Sequence, residues 1–381
     1  MQTFLYIHFP FCLRKCLYCD FNSLAGSLIT PEEYVAVVVK EMELRAERFA
    51  EPVVAHTLYF GGGTPSLMAP DLVAQVIETA TRLYGLASDA EITLEANPGT
   101  LTAEKLAGYR AAGVNRLSLG VQSFDDSFLQ VLGRIHTARE AREAFAMARN
   151  AGLCNIGIDL IHSLPGETHA AWLADMAQAV GLGPEHISAY GLTIEKGTPL
   201  HDLERKGLLL LPDEEEAVRM FLQTAEFLLG RGYEHYETSN FALPGFRSRH
   251  NQVYWRRGNC IGFGAGAHSF LRSPDFGMRW RNRLAPEAYQ QAIARANLPD
   301  EELMTLTERD AMAEFFFLGL RMLEGVDLDL FFREFGLTAE EAYPGVLARL
   351  LAEGVVECRD GFLRLTGTGL SLANQVFMRF V

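Results

Sequence analysis

TFLYIHFPFCLRKCLYCDF, residues 3–21, sets a short apolar and aromatic run directly before three cysteines, Cys12, Cys16 and Cys19. The run Thr3 to Phe9 reads as a β-strand that ends on a thiol-bearing loop. Five further segments of this kind follow, His56 to Phe60, Glu91 to Glu95, Asn115 to Gly120, Asn155 to Leu160 and His186 to Leu192, with helical stretches between them. Pro31 to Phe49 opens with Thr30 as N-cap and Pro31 at the first helical position, while Thr102 to Ala112 and Ala138 to Ala151 place apolar residues three and four apart. Strand–helix alternation predicts an α/β fold with a parallel sheet and right-handed crossovers, either doubly wound or a partial barrel. In both, ligands gather at the carboxyl ends of the strands. The cysteine loop, Gly61-Gly62-Gly63-Thr64-Pro65, Glu95, Gln122, Asp159 and Thr193 all fall at those ends, as one composite site would require.

Three thiolates within eight residues can grip an iron-sulfur cluster from a single loop and leave one iron open to a small chelating molecule. A three-cysteine zinc site closed by His8 uses the same residues, and the cysteines can also be merely buried. The Gly61–Gly63 run lacks the Gly-Lys-Ser/Thr ending of a P-loop, so it reads as a tight βα turn or as a cradle for a polar ligand. Glu95 and Asp159 can serve as helix anchors, Gln122 as a turn residue and Arg134 as a surface cation. The three remaining cysteines, Cys154, Cys260 and Cys358, lie isolated, which fits a reducing, cytoplasmic setting rather than a disulfide framework.

The 381 residues allow one large domain and one or two smaller ones. A net charge of -14 disfavours nucleic acid as a partner. No run approaches the ~18 apolar residues of a membrane helix, and the amino terminus lacks a basic region and a small-residue cleavage site. The expected division is 1–232 for the barrel, 233–297 for an extension of loops and short strands without a clean helical period, and 298–381 for a small helical, winged-helix-like unit. In that last unit, Thr307 to Leu323, Leu328 to Phe335 and Ala339 to Ala352 read as helices, Val355 to Cys358 and Phe362 to Leu365 as a hairpin, and Gly369 to Phe380 as a final helical stretch.

CxxxCxxC after the first strand and GGGTP after the second resemble the radical S-adenosylmethionine (SAM) superfamily. More closely, YIHFPFCLRKCLYCDF, GGGTPSLM, EANPGT, GVQSFDD, LGRIH, IDLIHSLPGET and LTGTGLSLANQVF resemble the HemN/HemW family across nearly the whole chain. The resemblance implies a partial (β/α)6 barrel with a C-terminal helical domain. It implies a 4Fe-4S cluster on Cys12, Cys16 and Cys19, with Tyr6 and Tyr18 near the SAM. Gly62, Gly63 and Thr64 would contact its methionine part, with Glu95, Gln122, Arg134 and Asp159 lining the cofactor site. Gly262 to His268 also resembles family SAM contacts, though it equally suits close backbone packing, and His268 receives no role.

Two departures sort the branches of that family. Phe21 stands where the decarboxylating branch continues CxxxCxxCxC, and His250-Asn251-Gln-Val-Tyr254-Trp255 is the HNxxYW motif of HemW-type members. The resemblance therefore implies a heme-binding chaperone that passes heme to an acceptor protein, with no assigned catalytic residue. The alternative is oxygen-independent coproporphyrinogen III dehydrogenase. His250, Tyr254 and Trp255 become candidates for heme, with Arg247, Arg249, Arg256 and Arg257 as partners for its propionates. A packing segment with solvent-facing arginines uses the same residues. The sequence neither requires nor excludes a homodimer.

Overall fold

Period-two alternation decides which way each strand faces. In the computed structural model, which describes residues 1–381, six parallel strands lie side by side in chain order: β1 (Gln2–Phe9), β2 (Val54–Gly62), β3 (Glu91–Ala96), β4 (Arg116–Gln122), β5 (Ile156–His162) and β6 (His186–Gly191). Their outward residues, among them Leu5, Phe60, Leu94, Leu119, Ile158 and Ile187, are buried in one core with Met42, Val73, Tyr109, Phe145 and Met176 of the covering helices. The intervening positions carry Tyr59, Glu95, Ser118, Asp159 and Ser188, which line a cavity. A doubly wound sheet reverses its strand order and is apolar on both faces; here the order never reverses and the second face is polar. The fold is a partial (β/α)6 barrel.

Thr30 closes the first helix, Pro31–Ala46, with a capping box to Glu33. The stretch after residue 232 feeds both edges of the sheet. β7 (Glu234–Glu237) and β8 (Asn240–Ala242) extend it antiparallel from β6, whereas β9 (Cys260–Phe263) lies parallel beside β1. Beyond β9 come β10 (His268–Leu271), β11 (Met278–Asn282) and β12 (Asp300–Thr305), so the sheet continues past residue 297. This stretch also holds two helices, Arg249–Trp255 and Pro286–Ala294, where only loops and strands were expected. Seven residues make two turns, too few for a helical period to stand out.

The C-terminal unit has its own core of Phe316, Phe331, Leu350, Leu363 and Phe380. Pro344 and Gly345, at φ 71°, split the helix expected over 339–352 into Ala339–Ala342 and Val346–Ala352. The strand Val326–Asp327 adds to the hairpin Val356–Arg359 and Phe362–Leu365, giving the three-stranded wing beside the helices. No helix is long and apolar enough to cross a membrane.

Arg257, at the end of the Arg249–Trp255 helix, clamps this unit to the barrel. It is 4% exposed, donating to Glu314 at 3.1 Å, Glu334 at 3.0 Å and the Phe276 carbonyl at 2.8 Å. The neighbouring Arg256–Glu324 pair spans 2.6 Å with both side chains about half exposed. Removing one partner of a buried pair costs about 3–5 kcal/mol, against ~1 kcal/mol or less for an exposed one. Urea unfolding should therefore show Arg257→Ala destabilised by about 3–5 kcal/mol and Arg256→Ala near wild type; equal effects would show that Arg257 is not the clamp.

Candidate functional site

The cysteine loop lies across the carboxyl ends of the strands, and all three thiols line one cavity of about 510 Å³. Each is half-buried and unbridged, whereas Cys154 and Cys358 are exposed and Cys260 is buried elsewhere. Thr64 Oγ1 donates to Cys12 Sγ at 3.4 Å, and Arg134 Nη1 to Cys16 Sγ at 3.2 Å. The other arm of Arg134 holds the Gly120 carbonyl at 2.7 Å, so this guanidinium ties the loop to β4. Tyr18 lines the cavity and packs with Leu132, Ile161, Leu164 and Leu192.

The glycine run is needed first by the backbone. A Cβ on Gly62, which sits at φ 112°, would come within 2.7 Å of the His8 ring, and one on Gly63 within 2.8 Å of the Phe11 carbonyl oxygen. The loop after β2 can thus press against the start of the cysteine loop only as glycine. Its N–H groups are taken: Gly62 donates to Glu95 at 3.2 Å, Gly63 to Phe9 O at 2.7 Å and Thr64 to Phe11 O at 2.9 Å. Any contact of Gly62 or Gly63 with an amino-acid ligand therefore falls to carbonyl oxygens, which suit an ammonium group.

Below this lie the lumen side chains. Glu95 accepts from Tyr59 Oη at 2.8 Å; burial pushes its pKa up to about 7, aided by the nearby Asp159 and opposed by the Tyr59 hydrogen bond. Asp159 accepts from Ser188 at 2.6 Å and Ser118 at 2.9 Å, and burial raises its pKa too. Gln122 sits at φ 71° on a bulge in β4, a left-handed conformation that costs a non-glycine residue about 1–2 kcal/mol and turns its side chain into the cavity. Tyr6 packs behind the lining, stacked on Tyr59 at 6.0 Å, with its hydroxyl 3.1 Å from His8 Nδ1. His8 uses its other nitrogen on Asn22 O at 2.9 Å, so it does not close a zinc site. No group of three or more His, Cys, Asp or Glu side chains converges on a single metal ion. The three sulfurs face a shared space instead, as ligands of separate irons in one cluster would.

His250 lies at the opposite, amino-terminal end of the strands. Its ring is 1% exposed, stacked on Tyr59 at 4.8 Å, with 2.6 Å from Nδ1 to Thr57 Oγ1 and 2.9 Å from Nε2 to Tyr254 Oη. Burial, reinforced by the Arg116 cation, lowers its pKa to about 3, so the ring is neutral. Trp255 packs with Tyr236 and Met322 beneath Arg321, whose guanidinium is 4.9 Å from the indole. Asn251, one residue from His250, lines the same cavity as the thiols. The four arginines around this helix already have partners: Arg247 has Glu234, Arg249 has Asp89, Arg256 has Glu324, and Arg257 has Glu314 and Glu334. Tyr59, Arg116, Ser118, Ser188 and Asn251 also line the space, unanticipated. Alternate positions in strands that begin at Arg116 and His186 were the signal for Ser118 and Ser188.

Residues 6–179 match the radical SAM superfamily and residues 306–372 the HemN C-terminal domain. The chain is 37% identical over 380 residues to heme chaperone HemW of Escherichia coli K12, covering 99% of this chain and 97% of that one. To heme chaperone HemW of Bacillus subtilis it is 35% identical over 377 residues, covering 99% and 98%. In structure it is similar to coproporphyrinogen III oxidase (HemN) from Escherichia coli, described as a radical SAM enzyme, with TM-score 0.83, 23% identity and coverage of 99% and 89%; that likeness bears on the fold.

The radical SAM match implies a 4Fe-4S cluster and SAM, and the residues present fit both: three thiols around one space, donors onto two sulfurs, and a glycine loop drawn against them. Anaerobically purified protein should hold about four irons, lost in Cys16→Ala and kept in Cys154→Ala and Cys358→Ala; iron counting checks this. Gly63→Ala should cost about 1–3 kcal/mol and lower iron retention, because a backbone carbonyl occupies the space its methyl needs. For Glu95, folding favours the protonated form. The resulting penalty is absent below the ordinary carboxylate range and grows as pH rises to about 7. In cluster-free protein, urea midpoints should shift in favour of Glu95→Gln over wild type between about pH 5 and 8; a constant gap would assign the carboxyl an ordinary pKa.

Proposed function

The chain belongs to the HemW heme chaperone family of the radical SAM superfamily, and from that membership we propose that it binds heme and hands it to an acceptor protein. The observation that carries this reading is the single cavity that reaches from the three thiols to Asn251 of the HNxxYW segment. Cys12, Cys16 and Cys19 would hold the cluster, which when bound supplies an electron and an open iron for SAM. Gly62 and Gly63 carbonyls, Glu95 and Asp159 would hold polar groups of SAM, with Gln122 and Arg134 above them and Tyr6 and Tyr18 as aromatic support.

His250, Tyr254 and Trp255 are the proposed heme contacts. Iron ligation by His250 requires its ring to leave Thr57 or Tyr254, so heme uptake involves a turn of that side chain on the short helix. Arg247, Arg249 and Arg256 sit in exposed pairs and can exchange a glutamate or aspartate for a propionate at little cost, whereas buried Arg257 stays with the C-terminal unit. Phe21, 62% exposed beside the cysteine loop, supplies no fourth thiol, which favours the chaperone over the decarboxylating reading.

Titration with heme should give a saturable Soret shift, altered in His250→Ala, and loss of the bound heme to a heme-free b-type hemoprotein. Under anaerobic reduction with SAM, coproporphyrinogen III should release no carbon dioxide. Rapid decarboxylation, or no saturable heme binding, would overturn the reading.

A further inference from the structure

The barrel floor holds a cation to which no protein atom offers a hydrogen-bond acceptor, although Glu91 and Asp159 offset its charge. Three arginines are buried: Arg45, Arg116 and Arg257, at 3%, 2% and 4% exposure. Arg45 donates to Glu41 at 2.9 Å, Asn282 at 3.2 Å and Asp300 at 2.6 Å, and Arg257 is bound as described above. Arg116, the first residue of β4, has no acceptor: its Nε is buried without a hydrogen bond, and the side chain donates to no protein atom and forms no ion pair. It lines the cavity with Asn251, so its free donors open onto that space.

A guanidinium fixed among buried groups with its terminal nitrogens turned to a cavity keeps hydrogen bonds that it can give to a ligand there. The neighbouring acids are already engaged. Glu91 accepts the backbone N–H groups of Arg249 and His250, each at 3.0 Å, and Asp159 holds its two serines. The guanidinium lies beside Gly157 of the neighbouring strand, where a Cβ would stand 3.5 Å from Arg116 Nη2, an ordinary contact. The same position would lie 3.4 Å from His186 Nδ1, a second buried atom with no hydrogen bond. Two unmet polar groups thus flank one point of the lumen.

We propose that Arg116 is a carboxylate subsite on the floor of the cavity and that, resting on the heme reading above, it receives one heme propionate. A planar guanidinium presents parallel donors that match a carboxylate. A dianion such as phosphate fits poorly, because Glu91 and Asp159 flank the site. A propionate extends from the porphyrin edge on a two-carbon arm and enters a narrow floor that the ring does not.

The test compares heme with its dimethyl ester, in the same detergent, on cluster-loaded wild type, Arg116→Met and Arg116→Lys, with iron content and thermal melts as folding controls. Wild type should prefer heme over the diester by about 10- to 100-fold, the range expected of one charge-assisted carboxylate contact. Arg116→Met should lower that ratio about 10-fold or more, to what the exposed Arg247, Arg249 and Arg256 give the other propionate, while still binding the diester, and Arg116→Lys, which keeps the charge but not the fork, should fall between the two. A wild type indifferent to esterification, or a full wild-type ratio in either folded variant, overturns the subsite. Weakened SAM binding in Arg116→Met or Arg116→Lys with the ratio intact overturns it as well, because the carboxylate would then be that of methionine. Failure of the parent reading looks different: wild type would bind neither porphyrin saturably.

Discussion

A strand that buries every second side chain under a helix has no freedom in where it aims the others. That constraint organises the molecule. Six parallel strands place their aliphatic residues beneath the helices, so residues such as Tyr59, Glu95, Ser118 and Asp159 are delivered to one lumen regardless of their separation in the chain. The lumen is consequently lined by groups that water would otherwise solvate. They are tolerated because most are tied to one another: Tyr59 to Glu95, Glu95 to Gly62, and both lumen serines to Asp159.

At the thiol end the same economy is achieved with backbone. Gly62 and Gly63 are fixed by the approach of His8 and Phe11, and the approach in turn fixes where Cys12 stands relative to Thr64. Arg134 performs the equivalent task from β4, joining Cys16 to Gly120. The cysteine loop is therefore positioned by contacts from two strands, which lowers the ordering cost that cluster assembly would otherwise meet.

The six strands were legible because each is a short apolar run closed by glycine, proline or a polar residue, and the first helix because Thr30 and Glu33 form its capping box. The thiols were legible from spacing alone, since Cys12, Cys16 and Cys19 share one loop. Gln122 was marked by resemblance, but the bulge that turns it inward leaves no trace in composition. Arg116 was invisible for a related reason: a lone arginine at the start of a strand looks like any surface cation until the fold lays its side chain along the lumen beside Gly157. The Arg249–Trp255 helix was missed because two turns carry no period, and its arginines were expected free because the acids that meet them come from distant segments, Asp89, Glu234, Glu314, Glu324 and Glu334.

Those distant acids give the short helix its place in the argument. One end of it is held by Glu91, which accepts the N–H groups of Arg249 and His250, and the other by Arg257 in its buried pairs with the C-terminal unit. Between these anchors, the His250 ring is held by two side-chain hydrogen bonds and by contacts with the rings of Tyr59, Tyr6 and Tyr254, each worth about 1 kcal/mol net. Turning the ring off one hydrogen-bond partner costs less than withdrawing Arg257, so a helix that stays anchored while its histidine turns is the least costly motion available. Such a motion changes the floor beside Asn251 and reaches toward the thiol end through one ring, Tyr59, which stacks on His250 and donates to the Glu95 that holds Gly62.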